Sequence, residues 1–336
     1  MVANEKGSFK LNFSWILIGN IVLAFMQFLI LVVLAKLGNP KIVGQFTLAL
    51  SICSPVFIFF NLKLRTVQAT DVGSSYTFNE YRSLRIITST ISVAFIMILT
   101  VVIGYDFFIS ILIFIFSLTK AVEMQSDLYY GLFQKNEQMD IIAKSMIFRG
   151  VFNFIIIAIT FYFYGNLLLS ITGMFLANLS VFLGYDLKKA KVVLNNNEGS
   201  NFNKKLTLNK KIIRLFTFAF PLGISTALGS LNTNIPRYFI EQNIGQYELG
   251  IFSGITYLLV AANTVMNALS QVATPRLSLY FFNKDYKLFK SLILRLVSIG
   301  FIIGCISFVV VLLFGEQILS ILYSQEYSKY DDVLII

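Results

Sequence analysis

The chain has 336 residues, of which 57% are hydrophobic and only 13% charged, with a formal net charge of +10 and a mean hydropathy of +0.76. Charge this sparse excludes an ordinary soluble domain, in which about a quarter of residues are charged. The complete absence of histidine excludes histidine-based catalytic triads, histidine–metal centres and imidazole pH switches.

Lys6 and Lys10 precede an apolar stretch from Phe13 to Ala35. It is too long for the core of a signal peptide, and no small-residue cleavage site follows, so it reads as a first span. Further apolar blocks cover residues 42–62, 84–104, 107–130, 141–164, 166–184, 212–235, 247–269 and 291–314. Each is long enough to cross a hydrocarbon core of roughly 30 Å as a helix. Helix is the expected form because lipid offers no partners to an unpaired backbone. The short alternating segments of a β-barrel do not occur. Asp332-Val333-Leu334-Ile335-Ile336 reads as the start of another span, giving an expectation of about nine complete spans plus the start of a tenth. Cys53 and Cys305 fall inside apolar runs and read as small core residues.

The basic residues alternate between connections. With the N-terminus inside, 21 of the 27 lysines and arginines fall in loops or span ends on one side, a bias that sets orientation. The positive charge is therefore a topology signal, and nucleic acid is not an expected partner. The longest polar stretch, from Asp186 to Lys211, reads as a flexible basic cytoplasmic linker. Residues 63–71 mix polar and apolar positions, as expected of a helix that extends from the second span into the cytoplasm or lies in the interface, or of a solvated helix end.

The second half of the chain begins to repeat the first. Leu37-Gly38-Asn39-Pro40-Lys41-Ile42-Val43-Gly44-Gln45-Phe46 is echoed by Ile244-Gly245-Gln246-Tyr247-Glu248-Leu249-Gly250-Ile251-Phe252, with Gly44 and Gly250 206 positions apart. Val67-Gln68-Ala69-Thr70 is echoed by Gln271-Val272-Ala273-Thr274. Glu80-Tyr81-Arg82-Ser83-Leu84-Arg85 is echoed by Asp285-Tyr286-Lys287-Leu288-Phe289-Lys290. Three echoes at nearly one offset in so apolar a chain predict a two-lobed membrane protein with its working site between the lobes. The expected division is an N-terminal six-helix lobe over residues 1–185, a linker over 186–211 and a partial C-terminal lobe over 212–336. Two lobes of equal size imply twelve spans, so the second lobe is expected to be truncated.

Taken together, these segments resemble the polysaccharide repeat-unit flippases of O-antigen and capsule pathways, within the multidrug/oligosaccharidyl-lipid/polysaccharide exporter superfamily. The resemblance rests on Gly38 to Phe46, Leu64-Arg65-Thr66-Val67-Gln68-Ala69-Thr70-Asp71, Asp127-Leu128-Tyr129-Tyr130-Gly131-Leu132-Phe133-Gln134-Lys135, and Gly245 to Phe252. It implies an all-α polytopic membrane protein, a two-lobed exporter built of six-helix bundles around a cavity that opens to either side in turn. It implies a polyprenyl-diphosphate-linked glycan as substrate, moved across the bacterial inner membrane with the N-terminus cytoplasmic. It also places a polysaccharide polymerase and chain-length machinery, besides membrane lipids, among the partners, and implies no cofactor, no metal and no enzymatic activity.

A diphosphate crossing an apolar barrier needs fixed cations, and ionisable groups within spans are functional candidates. Lys120, Glu123 and Asp127 lie at spacings of three and four on one helix face. Arg149 lies in the next span and is expected to meet Glu123 or Asp127. The four form either a cationic cavity wall or an internal salt-bridge network. Arg237 is a second candidate, read alternatively as a pair with Glu241; Pro221, Gly223, Gly229 and Pro236 predict a bent or broken helix there. Arg65 and Arg276 occupy matching positions at the ends of the second and eighth spans, as phosphate contacts or topology anchors. The candidate substrate contacts are thus Arg65, Lys120, Arg149, Arg237 and Arg276, with Glu123 and Asp127 as coupling or structural carboxylates. Competing readings are an ion-coupled multidrug exporter, a membrane glycosyltransferase or polysaccharide polymerase, and a passive scaffold.

Overall fold

The computed structural model describes residues 2–71, 75–136, 138–196, 209–257, 280, 284–323 and 327. These are helical throughout apart from turns and caps. α1 (Val2–Leu37) is followed by α2 (Pro40–Asn61), α3 (Leu64–Thr70), α4 (Phe78–Ile103), α5 (Phe107–Lys135), α6 (Met139–Tyr164) and α7 (Leu167–Val181). A π-helical turn, Phe182–Asp186, joins α7 to α8 (Leu187–Asn196). The second half has α9 (Lys210–Asn243), α10 (residues 246–257) and α11 (Tyr286–Leu322). Among the described residues, seven helical stretches, the last of them Lys210–Asn243, are long and apolar enough to cross a membrane. They contain the first seven expected spans. The expected span 247–269 is described only to residue 257, and 291–314 lies inside α11. Residues 332–336 and Arg276 lie outside the described residues.

Local chemistry fixes the helix ends. Asn39 caps α2, its Oδ1 accepting from Ile42 N at 3.1 Å, with Pro40 at the first helical position. Thr77 and Glu80 form a reciprocal capping box at the start of α4. Gly104 and Gly165 end α4 and α6 with φ of 80° and 57°, where a side chain would be strained. The junction of α2 and α3 is different. Leu62 and Lys63 adopt φ of 54° and 49° without being glycine, a conformation that costs roughly 1–2 kcal/mol per residue. The Leu62 side chain is fully buried, and that burial helps hold the turn in place.

Packing follows membrane rules, with small residues where backbones approach. α1 lies along α6, and a Cβ at Gly19 would come within 2.9 Å of Ala143 Cα. α2 lies along α9, and a Cβ at Gly223 would come within 2.7 Å of the Phe59 carbonyl. α9 stays helical through both Pro221 and Pro236, so the expected break is absent. A proline bends a helix without ending it when neighbouring groups take up the freed carbonyl. Pro221 and Gly223 lie where α9 meets α2.

Two buried apolar clusters run through the bundle. One joins Leu31, Val43, Phe46 and Phe116 to Leu249, Ile255 and Tyr323 of the second half. The other joins Leu62, Tyr81, Tyr129 and Phe133 to Ala190, Val193 and Leu194 of α8 and to Leu215 of α9. Residues 187–196 are thus an amphipathic helix packed against α5, where the sequence suggested linker. Large apolar side chains such as Val101, Val102 and Phe107 are left exposed on the outside, as lipid contact demands.

Candidate functional site

A cavity of about 480 Å³ opens between α1, α2, α5, α6 and α9. α5 supplies Lys120, Glu123, Asp127 and Tyr130 from one face, at the three- and four-residue spacing that stacks side chains along a helix. Lys63 and Arg65 enter from the α2–α3 junction, Arg149 from α6 and Thr226 from α9. A smaller chamber of about 160 Å³ shares Leu23, Lys120 and Glu123 with the first and reaches Gln27, Asn153 and Tyr257. Four cations and two carboxylates line the main cavity, which leaves it with a net charge of about +2.

The cations are arranged in pairs. Lys120 Nζ donates to Glu123 Oε2 at 2.8 Å and lies 5.6 Å from the Phe116 ring centre. Asp127 is shared: Arg65 Nη1 approaches one oxygen at 3.6 Å, Arg85 Nη2 the other at 3.7 Å, and Asn61 Nδ2 donates at 3.1 Å. Arg85 is fully buried and also donates to the Asn61 carbonyl at 3.1 Å, which ties the last turn of α2 to α4. A cation at the carboxyl end of a helix is favoured by the exposed carbonyls there. Arg65 also donates through Nε to Gln134 at 3.1 Å.

Arg149 does not meet Glu123 or Asp127, as the sequence suggested. Its Nη2 donates to Asp186 Oδ2 at 3.2 Å and to Ser126 Oγ at 2.5 Å. Asp186 is fully buried, and its other oxygen accepts from Ser145 Oγ at 2.6 Å. Ser145 Oγ shares a hydrogen bond with the Tyr130 hydroxyl at 2.7 Å. The Tyr130 ring lies 5.4 Å from the Arg65 guanidinium and 5.8 Å from that of Arg149, a cation–π geometry to both.

The structure therefore brings Arg65, Lys120, Glu123, Asp127 and Arg149 together around one space. Arg237 is not among its walls. It donates to Asn234 Oδ1 at 3.0 Å, and Glu241 instead accepts from the Tyr105 hydroxyl at 3.4 Å. Arg276 lies outside the described residues. Asp186, Arg85 and Lys63 were missed by sequence reasoning. Asp186 carried a usable signal: Leu187, Ala190, Val193 and Leu194 continue an apolar helical period past it.

A separate apolar groove of about 540 Å³ lies across α2, α4 and α9, with Phe59, Phe60, Phe95 and Tyr238 in its walls. Beyond the second span, Asp71 organises the connection to α4. Its carboxylate accepts from the backbone N–H groups of Ser75 and Tyr76 at 2.9 and 3.1 Å and from the Tyr81 hydroxyl at 3.3 Å. Partial burial raises its pKa, but the Ser75 and Tyr76 hydrogen bonds outweigh that and hold it below the ordinary 3.8.

Three comparisons agree with this architecture. A curated relative, "Capsular polysaccharide biosynthesis protein CapF" of Staphylococcus aureus, is 35% identical over 331 residues, spanning 97% of this chain and 80% of the relative. Among solved structures, an inward-facing multidrug resistance MATE family transporter of the MOP superfamily superposes with a TM-score of 0.67 at 14% identity, covering 93% of this chain and 75% of that one. A MOP superfamily transporter from Pyrococcus furiosus, described for the reverse polarity of its binding pocket, gives a TM-score of 0.64 at 14% identity, covering 96% and 75%. The fold is thus that of a MATE-like transporter. Residues 9–281 match the family described as "Polysaccharide biosynthesis protein", and the chain belongs to that family.

Proposed function

We propose that this protein is a flippase that moves polyprenyl-diphosphate-linked oligosaccharide repeat units across the bacterial plasma membrane for capsular polysaccharide biosynthesis. The observation that carries this reading is the cationic cavity. Its net charge of about +2 matches the two negative charges of a diphosphate diester, and arginine forks suit phosphate oxygens. A capsular relative at 35% identity gives the substrate class its context. The solved neighbours supply the transport fold but do not separate glycolipid from drug, because at 14% identity the likeness is one of fold. The polarity of the cavity favours an anionic cargo.

In this reading the α3 end of the bundle, rich in lysine and arginine, faces the cytoplasm, and so does the N-terminus. Lys63 and Arg65 are the first cations met from that side. Lys120 and Arg149 lie deeper along α5 and α6 and take over the phosphates. Glu123 holds and neutralises Lys120, and Asp127 does the same for Arg65, while the cavity is empty. The first lobe supplies most of the wall, and α9 contributes Thr226 from the second half. Polysaccharide polymerase and chain-length machinery take the product at the outer face.

The test is the fate of the lipid-linked repeat unit in cells lacking the protein. A flippase defect abolishes surface polysaccharide while repeat units accumulate on the inner leaflet. Loss of polysaccharide with no such accumulation would point to an earlier glycosyl transfer, and accumulation on the outer leaflet to a polymerase.

A further inference from the structure

The Arg149–Asp186 pair is the most deeply buried ion pair among the described residues, with side chains 7% and 0% exposed. A buried ion pair rarely adds stability over well-packed apolar side chains, so its presence calls for another reason. Two observations supply one. First, Arg149 lines the cavity while Asp186 does not, so the pair connects the cavity wall to a group behind it. Second, the ring of bonds through Asp186, Ser145, Tyr130 and Ser126 leaves Arg149 Nε buried without a hydrogen-bond partner. A buried donor without a partner costs roughly 1–3 kcal/mol, and such an unsatisfied group in a folded protein calls for a reason other than stability.

The backbone is adapted to the same end. Asp186 closes a π-helical turn between α7 and α8. Such turns are rare and occur often at functional sites. Here the turn ends on the carboxylate that holds Arg149.

Resting on the flippase reading, we infer that Asp186 is a positioning residue. It fixes the Arg149 guanidinium through Nη2 at the cavity wall, where an incoming diphosphate meets it. Ser145 and Tyr130 in turn fix Asp186. Arg149 is the substrate contact; Asp186 acts only through it.

The experiment measures the affinity of the purified chain in lipid nanodiscs for farnesyl diphosphate, with farnesol as the uncharged control. The wild type is expected to bind the diphosphate and not the alcohol. Asp186→Asn is expected to weaken binding roughly tenfold, the scale of one charge-assisted hydrogen bond, and Asp186→Glu to recover part of the loss. Because removal of one buried charge alone threatens folding, the neutral pair Arg149→Met with Asp186→Leu is made as well. It is expected to unfold at a temperature near that of the wild type and still to bind poorly. In an Arg149→Met background, Asp186→Leu is expected to change affinity no further, since Asp186 acts through Arg149. A folded neutral pair that binds like the wild type overturns the inference while leaving the cavity reading intact. A wild type that does not discriminate farnesyl diphosphate from farnesol overturns both. Lys120→Ala separates the two as well: it weakens binding if the cavity is the site, whatever Asp186 does.

Discussion

Gly44 on α2 and Gly250 on α10 pack against each other reciprocally. A methyl group at Gly44 would overlap the Gln246 carbonyl, and one at Gly250 would overlap the Pro40 carbonyl. Pro40 and Gln246 are separated by the same 206 positions as Gly44 and Gly250. A contact in which i meets j and the counterpart of i meets the counterpart of j is what a local twofold axis generates. Beside it, Gln45 Nε2 donates to Gln246 Oε1 at 3.3 Å. α2 and α10 therefore close on one another at the end of the bundle away from α3, while the cationic cavity lies nearer the α3 end.

If transport requires this crossing to open, locking it stops transport. In a background free of Cys53 and Cys305, Gln45→Cys with Gln246→Cys is expected to cross-link under oxidation and to block export until reduced. Gly44→Leu is expected to act oppositely, forcing the helices apart at a cost of about 1–3 kcal/mol. Gel mobility and surface polysaccharide report both. Efficient cross-linking with undiminished export would show that the crossing does not gate the cavity.

Arg85 is expected to matter for stability rather than for substrate. It is buried, ties the end of α2 to α4, and shares Asp127 with Arg65. Arg85→Ala leaves the Asn61 carbonyl and Asp127 short of a partner and is expected to cost about 3–5 kcal/mol. Lys188→Ala, at an exposed position on α8, is expected to cost less than about 0.5 kcal/mol. Thermal unfolding in detergent compares the two. Similar midpoints for both variants would remove Arg85 from the structural framework.

The depressed Asp71 pKa has a defined sign. A carboxylate whose folded pKa lies below its unfolded value contributes stability that is present above the unfolded value and lost as pH falls through the folded one. Asp71→Asn is therefore expected to destabilise the wild type at pH 7, with the difference between the two shrinking as pH drops below the ordinary carboxylate value of 3.8. Unfolding midpoints for both proteins from neutral to acid pH measure this. A difference that stays constant with pH would mean that Asp71 acts through shape rather than charge.

Much of the architecture was legible because lipid imposes length and charge rules that write themselves into sequence. The first seven spans, the echo that relates Gly44 to Gly250, and the shared helix face of Lys120, Glu123 and Asp127 could all be read from spacing. What escaped depended on direction. Arg149 was assigned to the carboxylates of the neighbouring span, but side-chain partners follow helix rotation, and the π-helical turn places Asp186 against it instead. Arg85 stands out from its neighbour Arg82 by nothing in the sequence, and only packing reveals that its guanidinium points inward. Arg237 sat in a span beside two prolines, a pattern that suggests a broken helix at a site. The helix is continuous, and Arg237 bonds Asn234 within it.

The central claim is that the cationic cavity carries an anionic glycolipid headgroup across the membrane. It is tested most directly in proteoliposomes loaded with a fluorescent polyprenyl-diphosphate oligosaccharide, by the rate at which label on one leaflet becomes accessible on the other. The account predicts transfer above that of protein-free vesicles, slowed roughly tenfold by Lys120→Ala or Arg65→Ala, the scale of one charge-assisted contact. It also predicts little transfer of a neutral polyprenyl glycan that lacks the diphosphate. Equal transfer of charged and neutral lipids, or rates indifferent to both substitutions, would contradict it.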